Sequence, residues 1–246
     1  MIKKIITGKL KALTGIYIGS GDFSEVTGSL VYRNVNGKVV IPGTSIAGTL
    51  RTLATKLAPH LGFTKCVTLQ EKMNDNECKC AVCGLFGSIS QSDESEGGTA
   101  SKLWVNNAIL ENDIKISIRD GVGIDRETKS SSRAMRAKYD LEVIPKDAEF
   151  TFQISLQEGV TDEQEKLLAA VLKEWCEGRG YVGGNLSRGL GNVQLIDLRV
   201  FTIELSSIAK LMTFLKKEDP VKSAFEEEKW IENKVNEASM LIKFNE

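Results

Sequence analysis

The sequence predicts an α+β fold in which a split βαβ, ferredoxin-like sheet carries its helices on one face. Two observations predict it. Apolar residues recur with the period of a strand or of a helix in the order strand, helix, strands, strand, helix, strand, which is the order of a split βαβ unit. The chain of 246 residues, 41% hydrophobic and 26% charged, is also long and apolar enough to bury a substantial core.

The first strand is predicted over residues 2–18, where β-branched and other apolar residues alternate with polar ones. It ends in a glycine-rich stretch, 15–22. The pair Asn36-Gly37 then predicts a hairpin turn between short strands at 30–33 and 38–41, because both residues tolerate the positive φ of a tight turn.

The first helix follows the IPG sequence that ends at Gly43. Thr44 or Ser45 is predicted as its N-cap, and Pro59 is predicted to stop it. Apolar residues recur at helical spacing along it and should face the core: Ile46, Leu50, Leu53, Ala54 and Leu57.

Later segments complete the predicted sheet. Strands are predicted at 103–110, 114–118, 148–156 and 192–203. Between the last two, residues 161–176 predict an amphipathic helix, in which Thr161 and Gln164 have the spacing of a capping box.

We expect one domain at 1–204 with two polar excursions from its core. An insertion at 60–101 contains four cysteines and ends in a serine- and glycine-rich loop, and a second excursion at 119–140 is basic. Residues 205–246 are rich in Glu and Lys and are divided by Pro220, so we predict a helical C-terminal extension there.

Charge is unevenly distributed along a chain whose formal net charge is −1. Residues 1–58 contain eight Lys/Arg and two acids, a local +6, and residues 119–138 contain six and three, a local +3. Either one anion-binding face or an uneven solvated surface would produce this pattern. No apolar run approaches the roughly 18 residues of a membrane helix, and the N-terminal residues lack a secretory core. We therefore expect a cytoplasmic protein with no membrane partner.

Four of the five cysteines lie within eighteen residues: Cys66, Cys78, Cys80 and Cys83. Thiolates at this spacing in an intracellular chain predict a structural Zn²⁺ site, with His60 as an alternative ligand to Cys66. Loose thiols and a redox CxxC are the other interpretations. A redox CxxC needs a helix that begins after a strand, and the sequence indicates neither at this place.

Two glycine-rich stretches, 15–22 and 178–193, are suited to bring backbone N–H groups close to phosphates. Neither has the GK[ST] of a triphosphate site or a GxGxxG after a strand, so nucleotide hydrolysis and dinucleotide binding lack support. Arg179 and Arg188 in the second stretch favour a polyanion as ligand. Glycine turns in a tight connection are the alternative.

Catalytic groups are few. The single histidine leaves little room for imidazole acid–base catalysis, and the sequence has no Gly-x-Ser-x-Gly elbow. Asp22 and Glu25, in and just after the first glycine-rich stretch, are candidates to assist an RNA 2′-hydroxyl or to hold a metal ion. Ordinary solvated carboxylates are the alternative.

Four motifs follow one another within residues 1–200. They read IPGTSIAGTLRTLATKL at 41–57, CKCAVCGLFG at 78–87, GVGIDRETKSSSRAMRAKYDLEVIPKDAEF at 121–150 and GGNLSRGLGNVQL at 183–195. In this order they resemble the strand-to-helix, cysteine, IDR-x-T and glycine-rich motifs of the CRISPR-associated RAMP superfamily, and in particular its type III effector backbone subunits.

The resemblance implies a subunit that binds guide CRISPR RNA, stacks along it with further copies, paralogues and other type III effector subunits, and positions target RNA. It implies an RRM-like palm, a zinc-bearing insertion at 60–101 and a β-hairpin thumb at 119–140 that enters between guide and target. For subunits that cut target RNA it also implies cleavage assisted by Mg²⁺ or Mn²⁺.

The same resemblance implies RNA contacts in three places. The first helix would hold guide phosphates at its start, the thumb would wedge bases and clamp the backbone, and the second glycine-rich stretch would face phosphates. The residues at these positions are Ser45, Gly48 and Arg51, then Ile124, Arg126, Arg133, Met135 and Arg136, then Gly183, Gly184, Asn185, Arg188 and Gly189.

This sequence departs from the family's pattern in two respects. Subunits that cut have an aspartate in the loop before the strand that leads to IPG, whereas residues 27–29 contain no acid. One expectation is therefore a guide-binding subunit that does not cut, and the other is a cutting subunit in which Asp22, or Glu25 in its place, is the catalytic residue. Lys129 and the pair Lys146-Asp147 stand where the family has glycines.

Two other functions stay open at this point. One is a RAMP-type endoribonuclease that processes precursor guide RNA with His60 or Tyr17. The other is a stand-alone, RRM-like zinc protein that binds other RNA.

Overall fold

Strands and helices are interleaved along the chain in the computed structural model, which describes residues 2–24, 28–64, 66, 78–89, 98–131, 138–204, 212 and 225–243. The strands are β1 (Ile2–Ala12), β2 (Val40–Ile41), β3 (Ser88–Ile89), β4 (Gly98–Thr99), β5 (Leu103–Val105), β6 (Ala108–Ile109), β7 (Ser117–Val122), β8 (Lys138–Val143), β9 (Glu149–Leu156), β10 (Gly180–Tyr181), β11 (Asn192–Glu204) and β12 (Phe225–Glu226). The helices are α1 (Gly43–Leu57), α2 (Ala81–Phe86), α3 (Asp162–Cys176) and α4 (Trp230–Lys243), with 3₁₀ helices η1 (Ala58–Leu61) and η2 (Leu186–Arg188).

The main sheet has the strand order β10, β11, β1, β9, β5, and β12 pairs with the other end of β11. β1 is antiparallel to both β11 and β9, and β5 is antiparallel to β9. With α1 between β1 and β5, and α3 between β9 and β11, this is the strand order of a split βαβ, ferredoxin-like sheet. The predicted α+β fold with an antiparallel sheet is confirmed.

Both long helices of the core cover the same face of this sheet. α1 and α3 pack against each other, α1 reaches β5, and α3 reaches β11. Side chains with no exposed surface meet in this layer: Ile6, Leu10, Ile46, Leu50, Phe150, Ile154, Leu167 and Leu168. Burial of each such side chain stabilises the fold by ~1.5–3 kcal/mol. None of the helices in the described ranges combines the length and the apolar composition that a bilayer crossing needs.

Several predicted elements are confirmed to within a residue. β9 and β11 match the strands predicted at 148–156 and 192–203. α3 begins after Thr161, whose hydroxyl accepts the Gln164 N–H while Gln164 accepts the Thr161 N–H, so the capping box is present. At the predicted hairpin turn, Gly37 has φ 75° and donates its N–H to Asn34.

The N-cap prediction for α1 was wrong. The helix begins at Gly43, and its N-cap is Pro42, whose side chain makes no capping hydrogen bond. The Gly43 N–H instead donates to Oδ1 of Asn107, at 2.8 Å. The first N–H group of the helix is therefore paired by a side chain 64 residues away in the sequence. Thr44 and Ser45 lie within the first turn of the helix, not at its cap.

Three of the longer predicted strands differ from those observed. The predicted strand at 103–110 is split into β5 and β6, because the chain turns at Asn107 toward α1 and β6 then pairs with β2. The strand predicted at 114–118 begins only at Ser117, where its ladder to β8 starts. β1 ends at Ala12, before the predicted boundary at 18, although Ile16 still forms a bridge to Ile144.

Within the C-terminal segment, α4 packs on α3. Trp230 and Ala238 are buried in this contact, and the Lys4 ammonium lies 5.6 Å from the centre of the Trp230 ring. Lys234 adds an ion pair to Asp162 of α3, with 2.6 Å between Nζ and Oδ1. This helix therefore docks on the same domain as β1 and α3.

Trp230→Ala is expected to lower the free energy of unfolding by ~3–5 kcal/mol, because it removes a side chain that is only 3% exposed and leaves a cavity under α4. Chemical denaturation followed by circular dichroism would measure the change. Met240→Ala is the matched control, since that side chain on the same helix is 59% exposed. Equal stability of the two variants would contradict the docking of α4.

Candidate RNA interface and metal centre

The two glycine-rich stretches lie side by side. The Gly184 N–H donates to the Tyr17 carbonyl at 2.9 Å, and the Gly191 N–H donates to the Gly15 carbonyl at 2.7 Å. Gly183 has φ 85°, and a Cβ there would lie 2.3 Å from the carbonyl oxygen of Tyr17, so only glycine allows the two backbones to come this close. Residues far apart in the sequence thus form one paired loop surface.

The β7–β8 hairpin packs against this loop surface with one of its faces. Leu141, Val143 and Leu190 form a small apolar cluster with Tyr17. Nearer the tip, the Arg188 guanidinium lies 5.9 Å from the centre of the Tyr139 ring. The hairpin stem is therefore held against the second glycine-rich stretch.

Carboxylates on β8 hold the hairpin's other side to the segment that leads into β2 and α1. Asp140 accepts the Gly28 N–H at 2.8 Å, and Glu142 accepts the Val31 N–H at 3.0 Å. Arg33 adds an ion pair to Glu142, at 3.5 Å. The hairpin stem thus joins both loops and the approach to the first helix.

Asp22, the predicted catalytic residue, lies beside this junction. Its N–H donates to the Ser20 hydroxyl and its carbonyl accepts the Leu30 N–H, while the residue as a whole is exposed. Its carboxylate has no hydrogen-bond partner among the described residues. Glu25, the other candidate, lies outside the described residues.

Asp125 organises the turn at residues 125–128, just beyond β7. Its carboxylate accepts the N–H groups of Glu127 and Thr128, at 2.9 and 2.8 Å, and these bonds hold its pKa below the ordinary value. Lys129 follows with φ 52°. Asp147 has φ 66°, so the positions of the two missing family glycines both adopt the left-handed conformation that glycine favours.

Basic and apolar side chains are exposed on the hairpin and its neighbouring loop. The cations are Arg119, Arg126, Lys129, Lys138 and Arg188. On the face turned away from the glycine-rich loops, Ile118 and Val122 are 53% and 54% exposed, and Ile124 beyond them is 69% exposed. Positive charge and stiff aliphatic side chains are what a surface needs to contact nucleic-acid backbone and bases.

Tyr139 and Arg119 belong to this surface but were not predicted. Tyr139 is 41% exposed and lies directly opposite Gly121, where a Cβ would come within 2.2 Å of its ring. Arg119 reaches the Arg188 carbonyl at 3.4 Å. A tyrosine opposite a glycine is a recognisable cross-strand pair, but it could be predicted only if the register of the hairpin were known.

The four-cysteine cluster is the second feature of the site. The sulfurs of Cys66, Cys78, Cys80 and Cys83 all lie within 4.8 Å of one another. A tetrahedral Zn²⁺ at about 2.3 Å from each sulfur places the sulfurs roughly 3.8 Å apart, so the donor set fits this ion. His60 is exposed on η1 and lies outside the cluster.

The redox alternative needed a helix at the CxxC, and the expectation that none is present was wrong. α2 begins directly after Cys80, whose sulfur accepts the Cys83 N–H at 3.4 Å. Burial nevertheless raises the pKa of Cys80 to about 11 and also raises that of Cys83. Protonated thiols are poor nucleophiles, which argues against redox chemistry. The observation that favours a metal site is geometric, since four sulfurs lie within 4.8 Å of one another.

The predicted RNA-binding residues occupy three kinds of position. Ser45 and Gly48 lie in the first half of α1, whereas the Arg51 guanidinium is directed to the cysteine cluster. Ile124 and Arg126 are exposed on the hairpin. The glycine-rich residues share the paired loop surface: Gly183, Gly184, Asn185, Arg188 and Gly189. Arg133, Met135 and Arg136 lie outside the described residues.

Together these features define a class of protein, an antiparallel ferredoxin-like domain that presents a basic, glycine-rich surface and a cysteine cluster. The RAMP superfamily model matches residues 9–194, and the chain belongs to that family. The resemblance inferred from the four motifs is confirmed.

Three relatives carry the name CRISPR system Cms endoribonuclease Csm3. The protein from Methanothermobacter thermautotrophicus is 26% identical over 223 residues, which cover 80% of this chain and 84% of the relative. The protein from Enterococcus italicus is 28% identical over 207 residues, covering 80% and 91%. The protein from Streptococcus thermophilus is 24% identical over 225 residues, covering 84% and 95%.

Proposed function

We propose that this chain is a CRISPR RNA-binding backbone subunit of a type III interference complex, which stacks along the guide and positions target RNA in the cytoplasm. Membership of the RAMP superfamily and similarity to three proteins named Csm3 support the proposal. The observation that carries it is the surface formed by both glycine-rich stretches and the β7–β8 hairpin. Its partners are guide RNA, target RNA, other effector subunits and further copies or paralogues of itself.

Backbone contacts rather than base-edge contacts suit this role. In a guided complex, sequence is read by pairing between guide and target, so the protein needs to hold only phosphates and shape. The exposed Arg188 guanidinium, which lies next to the exposed Gly189, provides such a contact. Among the described residues, no carboxylate lies within ion-pair distance of Arg188, so its charge is available to a phosphate.

The β7–β8 hairpin is the thumb in this proposal. Its exposed aliphatic residues, Ile118, Val122 and Ile124, can enter between neighbouring base pairs and unstack them. Its opposite face is anchored by Leu141 and Val143. An anchored stem with an apolar, basic tip is what insertion between guide and target requires.

The insertion at 60–101 carries zinc in this proposal, held by Cys66, Cys78, Cys80 and Cys83. These thiolates would close a structural site with no open position, so the ion would link residues 66 and 78–83 rather than take part in chemistry. His60 is not needed as a ligand. Target-RNA cleavage, with Mg²⁺ or Mn²⁺ and Asp22, is the catalytic part of the proposal.

Arg188→Ala is expected to weaken guide-RNA binding about tenfold, the loss expected for one charge-assisted hydrogen bond worth ~1.5 kcal/mol. The slope of log affinity against log salt should fall by about 0.7, the value for one single-strand phosphate contact. Fluorescence anisotropy with labelled guide RNA at several salt concentrations measures both quantities.

Arg179→Ala is the matched control for this experiment. Arg179 lies in the same glycine-rich stretch, but Glu174 already binds it at two points, each at 2.7 Å. Its replacement should change RNA affinity less than twofold. Equal losses for the two arginines, or an unchanged salt slope for Arg188→Ala, would contradict the proposed interface.

A further inference from the structure

Arg51 joins the first helix to the cysteine cluster. From the third turn of α1, its Nη1 donates to the Gly87 carbonyl at 2.9 Å, and its Nη2 lies 3.7 Å from Sγ of Cys83, within hydrogen-bonding range of sulfur. Gly87 caps α2 at its C-terminal end. One guanidinium therefore contacts both the helix that carries the CxxC and one of its sulfurs.

The sulfur that Arg51 faces is central to the cluster. Cys83 is only 3% exposed, its sulfur lies 3.5 Å from that of Cys66, and its N–H donates to the sulfur of Cys80. A change in the charge or position of this sulfur would therefore alter the surroundings of the Cys66 and Cys80 sulfurs.

The positive charge of Arg51 would stabilise the cysteine cluster once a metal is bound. Four thiolates around one divalent cation carry a net charge of about −2, which is costly in a buried place. A guanidinium is permanently positive, weakly hydrated and donates in fixed directions. Donors to metal-bound ligands hold the ligand in place and stabilise its charged form.

We propose that Arg51 is a positioning residue of the four-cysteine metal site, whose N–H group holds the Cys83 thiolate and ties the site to α1. The inference rests on the zinc site of the proposed function. It assigns to Arg51 a role other than the guide-phosphate contact implied by the motif. It also links metal occupancy to the helix that carries Ser45 and Gly48.

The test compares zinc binding by the full chain and by Arg51→Gln and Arg51→Lys variants. A competitive titration against a chelator of known affinity should show a zinc dissociation constant about 10–100-fold higher for Arg51→Gln. Arg51→Lys should fall between, because it retains the charge but loses the two-pronged donor. Lys56→Gln is the matched control, a cation on the same helix with an exposed side chain, and should bind zinc as the unchanged chain does.

Cobalt provides a readout that a merely structural role would not change. In the Co²⁺-substituted chain, the thiolate-to-metal charge-transfer band depends on hydrogen bonds to sulfur, so it should shift in both Arg51 variants and not in Lys56→Gln. Unchanged zinc affinity and an unchanged cobalt spectrum in Arg51→Gln would overturn the inference, even if RNA binding fell. If Arg51→Gln fails to fold, the same comparison with Arg51→Lys decides.

The outcomes also separate this inference from the proposed function. Failure of the unchanged chain to bind zinc would overturn both the metal site and the role of Arg51, while leaving RNA binding to be judged by anisotropy. Failure of the chain to bind guide RNA, with normal zinc titrations, would overturn the RNA proposal alone.

Discussion

Asp22→Ala is expected to slow target-RNA cleavage by the assembled guide complex by a factor of about 100 to 10,000 in Mg²⁺ or Mn²⁺, the range for loss of one acid–base group. The Asp22 carboxylate is exposed next to the junction of loops and hairpin, and its backbone alone makes the contacts to Ser20 and Leu30. Removal of the carboxylate should therefore leave the loop and guide affinity intact. Single-turnover cleavage of labelled target RNA measures the effect.

Two further variants make this result specific. Asp113→Ala removes another exposed carboxylate to which no role is assigned, and should cut at the normal rate. Glu25→Ala tests the second acid of the same segment. Normal cleavage by Asp22→Ala would show that its carboxylate is not catalytic, and loss of cleavage in Glu25→Ala alone would transfer the role to Glu25.

Replacement of Cys80 and Cys83 together by serine is expected to abolish stoichiometric zinc binding. It removes two of the four thiolates, and one of them, Cys83, is in contact with both Cys66 and Arg51. At free zinc a thousandfold above the dissociation constant, the lost binding corresponds to about 4 kcal/mol of folding free energy. Metal analysis after dialysis gives the stoichiometry, and denaturation with and without zinc gives the stability.

Cys176→Ser is the control for the zinc experiment. This fifth cysteine lies on α3 outside the cluster, and burial raises the pKa of its thiol to about 11. Its replacement should leave one zinc per chain. A double variant that still binds one equivalent of zinc, or an unchanged chain that binds none, would contradict the structural zinc site.

The C-terminal segment, 205–246, shows what a helical pattern in the sequence can and cannot predict. A helical period was predicted over 205–246, and α4 occupies the end of that segment. The sequence left open whether such a helix docks on its own domain or on a neighbour. Trp230 is buried and Lys234 forms an ion pair with Asp162, so the helix docks on its own domain. Charge and periodicity along a helix do not identify the surface that it covers, because many surfaces satisfy them.

Arg51 illustrates the corresponding problem within the site. The family motif implied a guide-phosphate contact for this residue, and in the structure its guanidinium contacts Cys83 and Gly87. The cysteines were recognised as a cluster because their spacing is short. Arg51 was not recognised as their neighbour, because it precedes Cys83 by 32 positions and belongs to another motif.

The sequence by itself determined what depends on neighbouring residues: the order of the core strands and the two long core helices, the capping box at Thr161, the turn at Gly37 and the set of cysteines. It also determined the family, because four motifs in one order carry that information. Only the tertiary structure decided the start of α1, which depends on Asn107, and the pairing of the two glycine-rich stretches through Tyr17. The physical reason is that periodicity and capping are satisfied within a few residues of chain. Hydrogen bonds between distant segments are set by packing, which no local pattern specifies.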